Sequence, residues 1–186
     1  MLGAMKKICI ASALLSVFAL TPAVAQHHGH AHAHGHHAEG HQSPYAGMQN
    51  RTIKALSEEQ MAGLKAGKGM AMAMPAELNG YPGPSHTLEM ASELHLSPAQ
   101  KTRTEQLFAE MQTQSQSVGE EVIAAERELD ILFRDKKATA EAVANAVRTA
   151  ALAQGKLRET HLRYHLAMMD VLTPQQIAQY NQLRGY

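Results

Sequence analysis

Apolar side chains recur every three or four positions along two long stretches of the sequence, the spacing that places them on one face of an α-helix. The first stretch covers residues 98–133 and contains a single glycine, Gly119. The second covers residues 139–171, where the steps alternate between four and three as in a coiled coil. The positions of this second seam are Val143, Val147, Ala150, Gln154, Leu157, His161, Tyr164, Met168 and Val171. The pattern predicts two long helices joined by the charged corner at residues 134–137.

One five-residue pattern, Leu-[Ser/Thr]-x-x-Gln, occurs at residues 56–60, 96–100 and 172–176. The Ser or Thr hydroxyl can accept a hydrogen bond from a backbone N–H of the first helical turn, and the Gln can reach back to the N–H of the cap, as in a capping box. Pro follows the cap in the second and third copies, where its missing N–H costs nothing. Each copy therefore predicts the start of a helix.

Shorter helices are predicted at residues 57–66, at 70–78, from Ser85 to about residue 94, and from Thr173 to the end of the chain. Strand signals are absent, because Val and Ile are sparse and do not alternate with polar residues. We therefore expect an all-α fold with a long antiparallel helical hairpin and short flanking helices. A single hairpin buries little apolar surface, so we also expect a homodimer.

The first 25 residues are predicted to be a secretory signal peptide. Lys6 and Lys7 precede an apolar run at residues 8–20, and an Ala-x-Ala motif ends at Ala25. The run is too short to span a bilayer, although an uncleaved anchor is the alternative. The prediction is cleavage before residue 26 and a periplasmic location.

Residues 26–50 form a tail rich in His, Gly and Ala, and residues 51–186 form the predicted helical domain. The tail has too little apolar surface to fold alone, so we expect it to be disordered without metal. Neutral imidazole binds copper, zinc and nickel. The candidate ligands in the tail are His27, His28, His30, His32, His34, His36, His37 and His41. The alternative is a tail that only confers solubility.

A second candidate metal site lies on the second long helix. His161, His165 and Met169 are spaced four residues apart and share one helical face. Two imidazoles and a thioether suit copper or nickel better than magnesium or calcium. The alternative is structural, because His161 occupies a seam position where a buried His often bonds a neighbouring carboxylate.

A cluster of methionines at Met70, Met72 and Met74 is a third candidate site. Closely spaced thioethers can bind Cu(I). Methionine is also a common filler of apolar faces and of promiscuous binding grooves, and core packing or client contact is the favoured interpretation.

Composition argues against several other functions. The sequence has 17 Lys and Arg against 17 Asp and Glu, so no basic excess points to nucleic acid. Cys9, the only cysteine, lies in the predicted signal peptide. Serines lack His and Asp partners at recognisable spacings, and no P-loop is present. We expect that the protein is not an enzyme and requires no cofactor, although it could bind a divalent metal.

Together, the signal peptide, the all-α pattern and the motifs at 96–100 and 172–176 resemble the LTxxQ-motif periplasmic proteins, which include Spy/CpxP-like proteins and heavy-metal-resistance relatives. The resemblance covers residues 57–186. It implies a cradle-like helical dimer in the periplasm. It also implies that the protein binds unfolded or misfolded proteins without ATP, restrains a membrane sensor protein, or detects divalent metals.

The resemblance favours a periplasmic stress protein acting as an ATP-independent chaperone or adaptor in envelope or heavy-metal stress. The alternative is a periplasmic sensor or buffer of copper, zinc or nickel. Chaperone relatives are described with a basic concave surface, whereas residues 97–186 contain eleven basic and eleven acidic residues. Nickel- and cobalt-sensing relatives pair helical histidines with a Met, as His165 and Met169 are paired here. Their sets also include N-terminal histidines and a carboxylate, and here only the tail, His86 or His95 could supply the histidines.

Overall fold

The structure is a computed structural model that describes residues 43–186. The predicted signal peptide and the eight tail histidines lie outside these residues, and both stay predictions. Every regular element within 43–186 is helical, which confirms the predicted all-α fold. A 3₁₀ helix at Met48–Asn50 precedes α1 (Glu58–Lys65), α2 (Met74–Glu77), α3 (Pro84–Glu89), α4 (Pro98–Arg134), α5 (Ala140–Met169) and α6 (Pro174–Arg184). Within the described part, no helix is long and apolar enough to cross a membrane.

The three predicted capping boxes are confirmed. Ser57, Ser97 and Thr173 cap α1, α4 and α6, and in each box the cap side chain and the Gln side chain bond each other's backbone N–H. The two long helices also begin and end within two residues of the predicted positions. Thr139 caps α5, since its hydroxyl accepts a 3.1 Å hydrogen bond from the Ala142 N–H.

The Gln side chains of the second and third motif copies also link separate helices. The side-chain amide of Gln100 donates to the Val171 carbonyl at 2.9 Å and to Gln176 Oε1 at 2.8 Å. Gln176 in turn donates to the Leu94 carbonyl at 3.1 Å and to Gln100 Oε1 at 3.2 Å. The glutamines of two motif copies therefore join the start of α4 to the start of α6.

The hairpin of α4 and α5 carries two buried clusters. One lies beneath α1 and contains Leu64, Val118, Val122, Ile123, Ala150, Ala153 and Leu157. The other lies toward the start of α4 and contains Leu107, Met111, Tyr164, Met168 and Leu172. The predicted seam of α5 is not buried throughout, because Val147 is 47% exposed and Gln154 is also exposed. Gln154 instead donates a 2.7 Å hydrogen bond to Glu126 on α4.

Helix α1 lies against α4 at Gly119. A Cβ atom at this position would be 2.4 Å from the Leu64 carbonyl oxygen and 2.9 Å from its carbon, so only glycine fits here. Leu64 is 3% exposed and belongs to the cluster beneath α1. The close backbone contact fixes where the segment after α1 crosses the hairpin.

Two predicted boundaries are wrong. The helix expected at 70–78 is shortened to α2, because Met70 and Ala71 have left-handed φ angles of 41° and 62°. The helix expected to follow a cap at Ser85 is instead capped by Gly83, two residues earlier, with Pro84 at its first position, and it ends at Glu89. Turns follow it up to His95, whose φ of 49° is left-handed.

Candidate functional site

A cavity of about 490 Å³ lies between the hairpin and the segment containing α2 and α3. We call it the histidine cavity because three histidines line it, one from α3 and two from α5. Its other polar or sulfur-bearing lining side chains come from α2, α3, α4, the loop before α2 and the C-terminus. The lining includes Met70, Met74, Glu77, His86, Met111, His161, His165 and Tyr186.

Glu77 anchors one wall of the histidine cavity. It is 8% exposed, and its Oε1 accepts hydrogen bonds from the Tyr180 hydroxyl and from Arg184 Nε, the latter at 3.2 Å. His86 Nδ1 lies 3.3 Å from the same oxygen. Burial and the bond to Glu77 raise the pKa of Tyr180, so its phenol stays protonated and keeps donating. The carboxylate is thereby occupied by partners from α3 and α6.

His165 is held in place by the loop between α2 and α3. Its Nδ1 lies 2.7 Å from the Tyr81 carbonyl oxygen and 3.7 Å from Glu77 Oε2. A Cβ atom on Gly83 would be 2.8 Å from its Cε1 atom, so the loop backbone approaches the ring closely. His165 is therefore a buried residue fixed by backbone contacts.

His161 is the least satisfied polar group of the cavity. The residue is 2% exposed, and its Nε2 has no hydrogen-bond partner within residues 43–186. Burial, followed by the nearby His165, lowers the pKa of His161, so its imidazole is neutral at pH 7. A buried polar atom without a partner is uncommon in proteins and calls for an explanation, such as a bound ion. The predicted structural alternative, a bond to a neighbouring carboxylate, is not the arrangement found.

The predicted methionine sites are divided by the fold. Met70 and Met74 line the histidine cavity, and Met111 joins them from α4. Met72 instead packs against the cluster beneath α1. Met169 does not line the cavity, so the predicted row of His161, His165 and Met169 does not face it as a unit.

Within the described part of the chain, the side chains that usually bind divalent metal ions do not come together in a site. There, no group of three or more His, Cys, Asp and Glu side chains is arranged to bind a metal ion. Neutral imidazole and thioether groups are the unengaged donors that line the cavity. Such donors suit soft metal ions.

Glu77, Tyr180 and Met111 were not predicted as site residues. Glu77 lies 103 positions before Tyr180, and contacts over such a distance leave no periodic signal in the sequence. The turn rich in Gly and Pro at residues 79–84 was a usable sign, because it returns the chain after Glu77 toward the hairpin.

A second candidate surface lies on the hairpin itself. A groove of about 630 Å³ is lined by residues that all come from α4 and α5. Leu152 at its side is 75% exposed, and the Lys156–Glu121 ion pair of 2.7 Å closes one end. We call it the alanine groove; its lining comprises Glu121, Ala124, Ala125, Glu128, Ala146, Thr149, Leu152, Ala153 and Lys156.

These features define a helical-hairpin protein in which two Gln motifs join the ends of the hairpin to its flanking helices. The sequence model for the LTXXQ motif family protein matches residues 85–184, more than half of the 186 residues. The chain therefore belongs to the LTXXQ motif family. The match runs from α3 to the end of α6, so it includes all three cavity histidines but not Glu77, Met70 or Met74. No curated protein and no solved structure matches the chain significantly.

Proposed function

We propose that the chain is a periplasmic Spy/CpxP-like stress protein that binds unfolded or misfolded proteins without ATP. The observation that carries this proposal is the alanine groove, an apolar groove on the long hairpin with a largely exposed leucine. Exposed apolar patches bounded by polar residues are typical of protein-binding surfaces. Membership of the LTXXQ motif family is consistent with this function.

The charges near the groove suggest the kind of client. Residues 97–186 are neutral overall, but α5 has four basic and two acidic residues, whereas α4 has four basic and seven acidic ones. Arg148 and Lys156 lie four positions before and after Leu152, so all three share one face of α5. The groove itself is lined by Glu121, Glu128 and a single base, Lys156, which already pairs with Glu121, so it favours an apolar client segment over a strongly acidic one.

The test is suppression of client aggregation by the chain beginning at Gln26. Leu152→Glu places a charge on the apolar side of the groove, and we expect it to weaken suppression strongly. Leu183→Glu is the matched control, because Leu183 is also exposed (46%) but lies on α6 outside the groove. Equal suppression by both variants, or none by the unmodified chain at molar excess, would refute the proposal.

Homodimerisation is part of the same proposal and is measured separately. Sedimentation equilibrium of the unmodified chain and Leu152→Glu gives the oligomeric state of each. A dimer that Leu152→Glu leaves intact, together with lost suppression, assigns the groove to clients. Conversion of the dimer to monomer assigns the groove to the partner subunit instead.

A second candidate function is a periplasmic sensor or buffer of heavy metals. The observation that favours it is the buried His161 with its unpartnered Nε2, beside His165 and His86 in one cavity. The tail histidines would add further, interchangeable ligands.

Calorimetric titration with zinc, nickel and copper tests this second candidate. The three proteins are the chain from Gln26, the same chain with all eight tail histidines replaced by Ser, and His161→Ala/His165→Ala. Binding that disappears only with the tail histidines assigns metal to the tail. Binding weaker than millimolar in all three would exclude a metal function.

A further inference from the structure

We infer that the histidine cavity is a site for a soft monovalent cation, Cu(I) or its redox-inert analogue Ag(I). The proposed ligands are His161 Nε2 and the thioether sulfurs of Met70, Met74 and Met111. The inference goes beyond client binding, and it refines the second candidate function by naming the metal class and a ligand set that differs from His161, His165 and Met169.

The nitrogen ligand is prepared by burial. His161 lines the cavity and is only 2% exposed. Its Nε2 has no hydrogen-bond partner among the described residues. A buried imidazole nitrogen without a hydrogen bond costs free energy, which a metal bond would offset. Gly69 packs along the other edge of the ring, where a Cβ atom would lie 3.8 Å from Nδ1 and 3.9 Å from Cε1.

The sulfur ligands come from two parts of the chain. Met70 and Met74 belong to the segment before and at the start of α2, and Met111 belongs to α4. Met70 has a left-handed φ of 41°, uncommon for a non-glycine residue, which turns the chain where it lines the cavity. Backbone strain of this kind is often found at functional sites.

The carboxylate in the same cavity favours a soft ion over a hard one. Glu77 is engaged by Tyr180, Arg184 and His86, so its oxygens are already bonded. Binding a divalent ion through Glu77 would break these hydrogen bonds, whereas His161 Nε2 has no hydrogen bond to lose. Thioethers are soft ligands that suit Cu(I), whereas magnesium and calcium prefer carboxylate and carbonyl oxygens.

The experiment is X-ray absorption spectroscopy of the chain from Gln26 loaded with one molar equivalent of Cu(I) without oxygen. Residues 26–43 contain neither Met nor Cys, so sulfur neighbours at copper cannot come from the His-rich part of the tail. We expect sulfur scattering in the unmodified chain and its loss in Met70→Leu/Met74→Leu/Met111→Leu. Copper surrounded only by nitrogen or oxygen would overturn the inference.

A chelator competition with Cu(I) and Ag(I) supplies the affinity. We expect His161→Gln and the triple Leu variant to bind Cu(I) at least about tenfold more weakly. The matched control is Met61→Leu/Met72→Leu/Met90→Leu, which removes three sulfurs outside the cavity and should leave the affinity unchanged. Met169→Leu should also leave it unchanged. Equal weakening by the control triple would overturn the proposed ligand set.

These outcomes are separable from those of the proposed function. Circular dichroism verifies the fold of each variant, and because Met→Leu conserves volume, the triple variant decides the matter if His161→Gln fails to fold. Zinc or nickel binding without copper–sulfur scattering refutes the soft-cation site and leaves the second candidate function intact. Client aggregation assays without metal are independent of either result.

Discussion

Replacement of Gly119 by alanine should move α1 away from the hairpin. The added methyl carbon would lie 2.4 Å from the Leu64 carbonyl oxygen, against the 3.4 Å at which ordinary contact begins. The two backbones must therefore separate by about 1 Å, since a carbonyl group cannot rotate away as a side chain can. This separation would disturb Leu64 and the loop that carries Met70 over the histidine cavity.

The magnitude follows from two opposing effects. Overpacking costs about 1–3 kcal/mol, and the upper end applies because both contacting atoms belong to the Leu64 backbone. Alanine in a helix interior gains about 1 kcal/mol over glycine. We expect Gly119→Ala to lower the free energy of unfolding by about 2 kcal/mol.

Gly155→Ala is the matched control within the other long helix. Nothing lies within 4 Å of a Cβ atom at Gly155, so only the gain in helix propensity remains. It should raise the free energy of unfolding by about 0.5–1 kcal/mol. Urea unfolding of both variants, with the m-value fitted for each, measures the difference. If Gly119→Ala is as stable as Gly155→Ala, α1 does not lie on α4 as described.

Three further predictions concern hydrogen bonds and pH. Gln100→Ala should lower the free energy of unfolding in urea by at least about 1 kcal/mol more than Gln60→Ala, because Gln60 only completes a capping box. Equal losses would contradict the hydrogen bonds between the Gln100 and Gln176 side chains. Tyr180→Phe should lower the free energy of unfolding by about 2 kcal/mol, since it removes the hydroxyl that donates a hydrogen bond to the Glu77 carboxylate. An unchanged midpoint of urea unfolding would contradict this. Because burial lowers the pKa of His161 below its ordinary 6.5, unfolding should take up a proton, and stability present above pH 6.5 should be lost as the pH falls below it. His161→Gln, measured with chelator, should flatten this dependence, and an equally steep loss would assign it to other groups.

The helical framework was predictable because its signals are local. The capping boxes at Ser57, Ser97 and Thr173 combine a side-chain cap with a Gln three residues later, and such contacts form within one turn whatever the rest of the chain does. Periodicity likewise predicted α4 and α5. It did not predict that the seam at Val147 would be exposed, since burial depends on whether another element reaches it.

The candidate site was only partly predictable because its contacts are distant in sequence. His161 and His165 were identified by their spacing on one helix. Which methionines join them depends on the left-handed turn at Met70, and no sequence pattern indicated that a non-glycine residue would adopt it. The binding of Glu77 by α6 also depends on how the flanking helices pack.

The hairpin and the cavity suggest two separate roles for one chain. The alanine groove is lined by α4 and α5 alone, whereas the histidine cavity also requires the segment around α2 and α3. Variants in one should therefore leave the other intact. Leu152→Glu and Met70→Leu/Met74→Leu/Met111→Leu provide that comparison, with client binding and Cu(I) binding measured on both.

The alanine groove is the surface that we propose binds unfolded polypeptide. Fluorescence anisotropy of a labelled, permanently unfolded small protein, titrated without ATP with the chain from Gln26, measures this binding directly. We expect saturable binding that Leu183→Glu preserves and Leu152→Glu weakens by about tenfold or more. Saturable binding of equal strength by Leu152→Glu, or no binding by the unmodified chain, would contradict it.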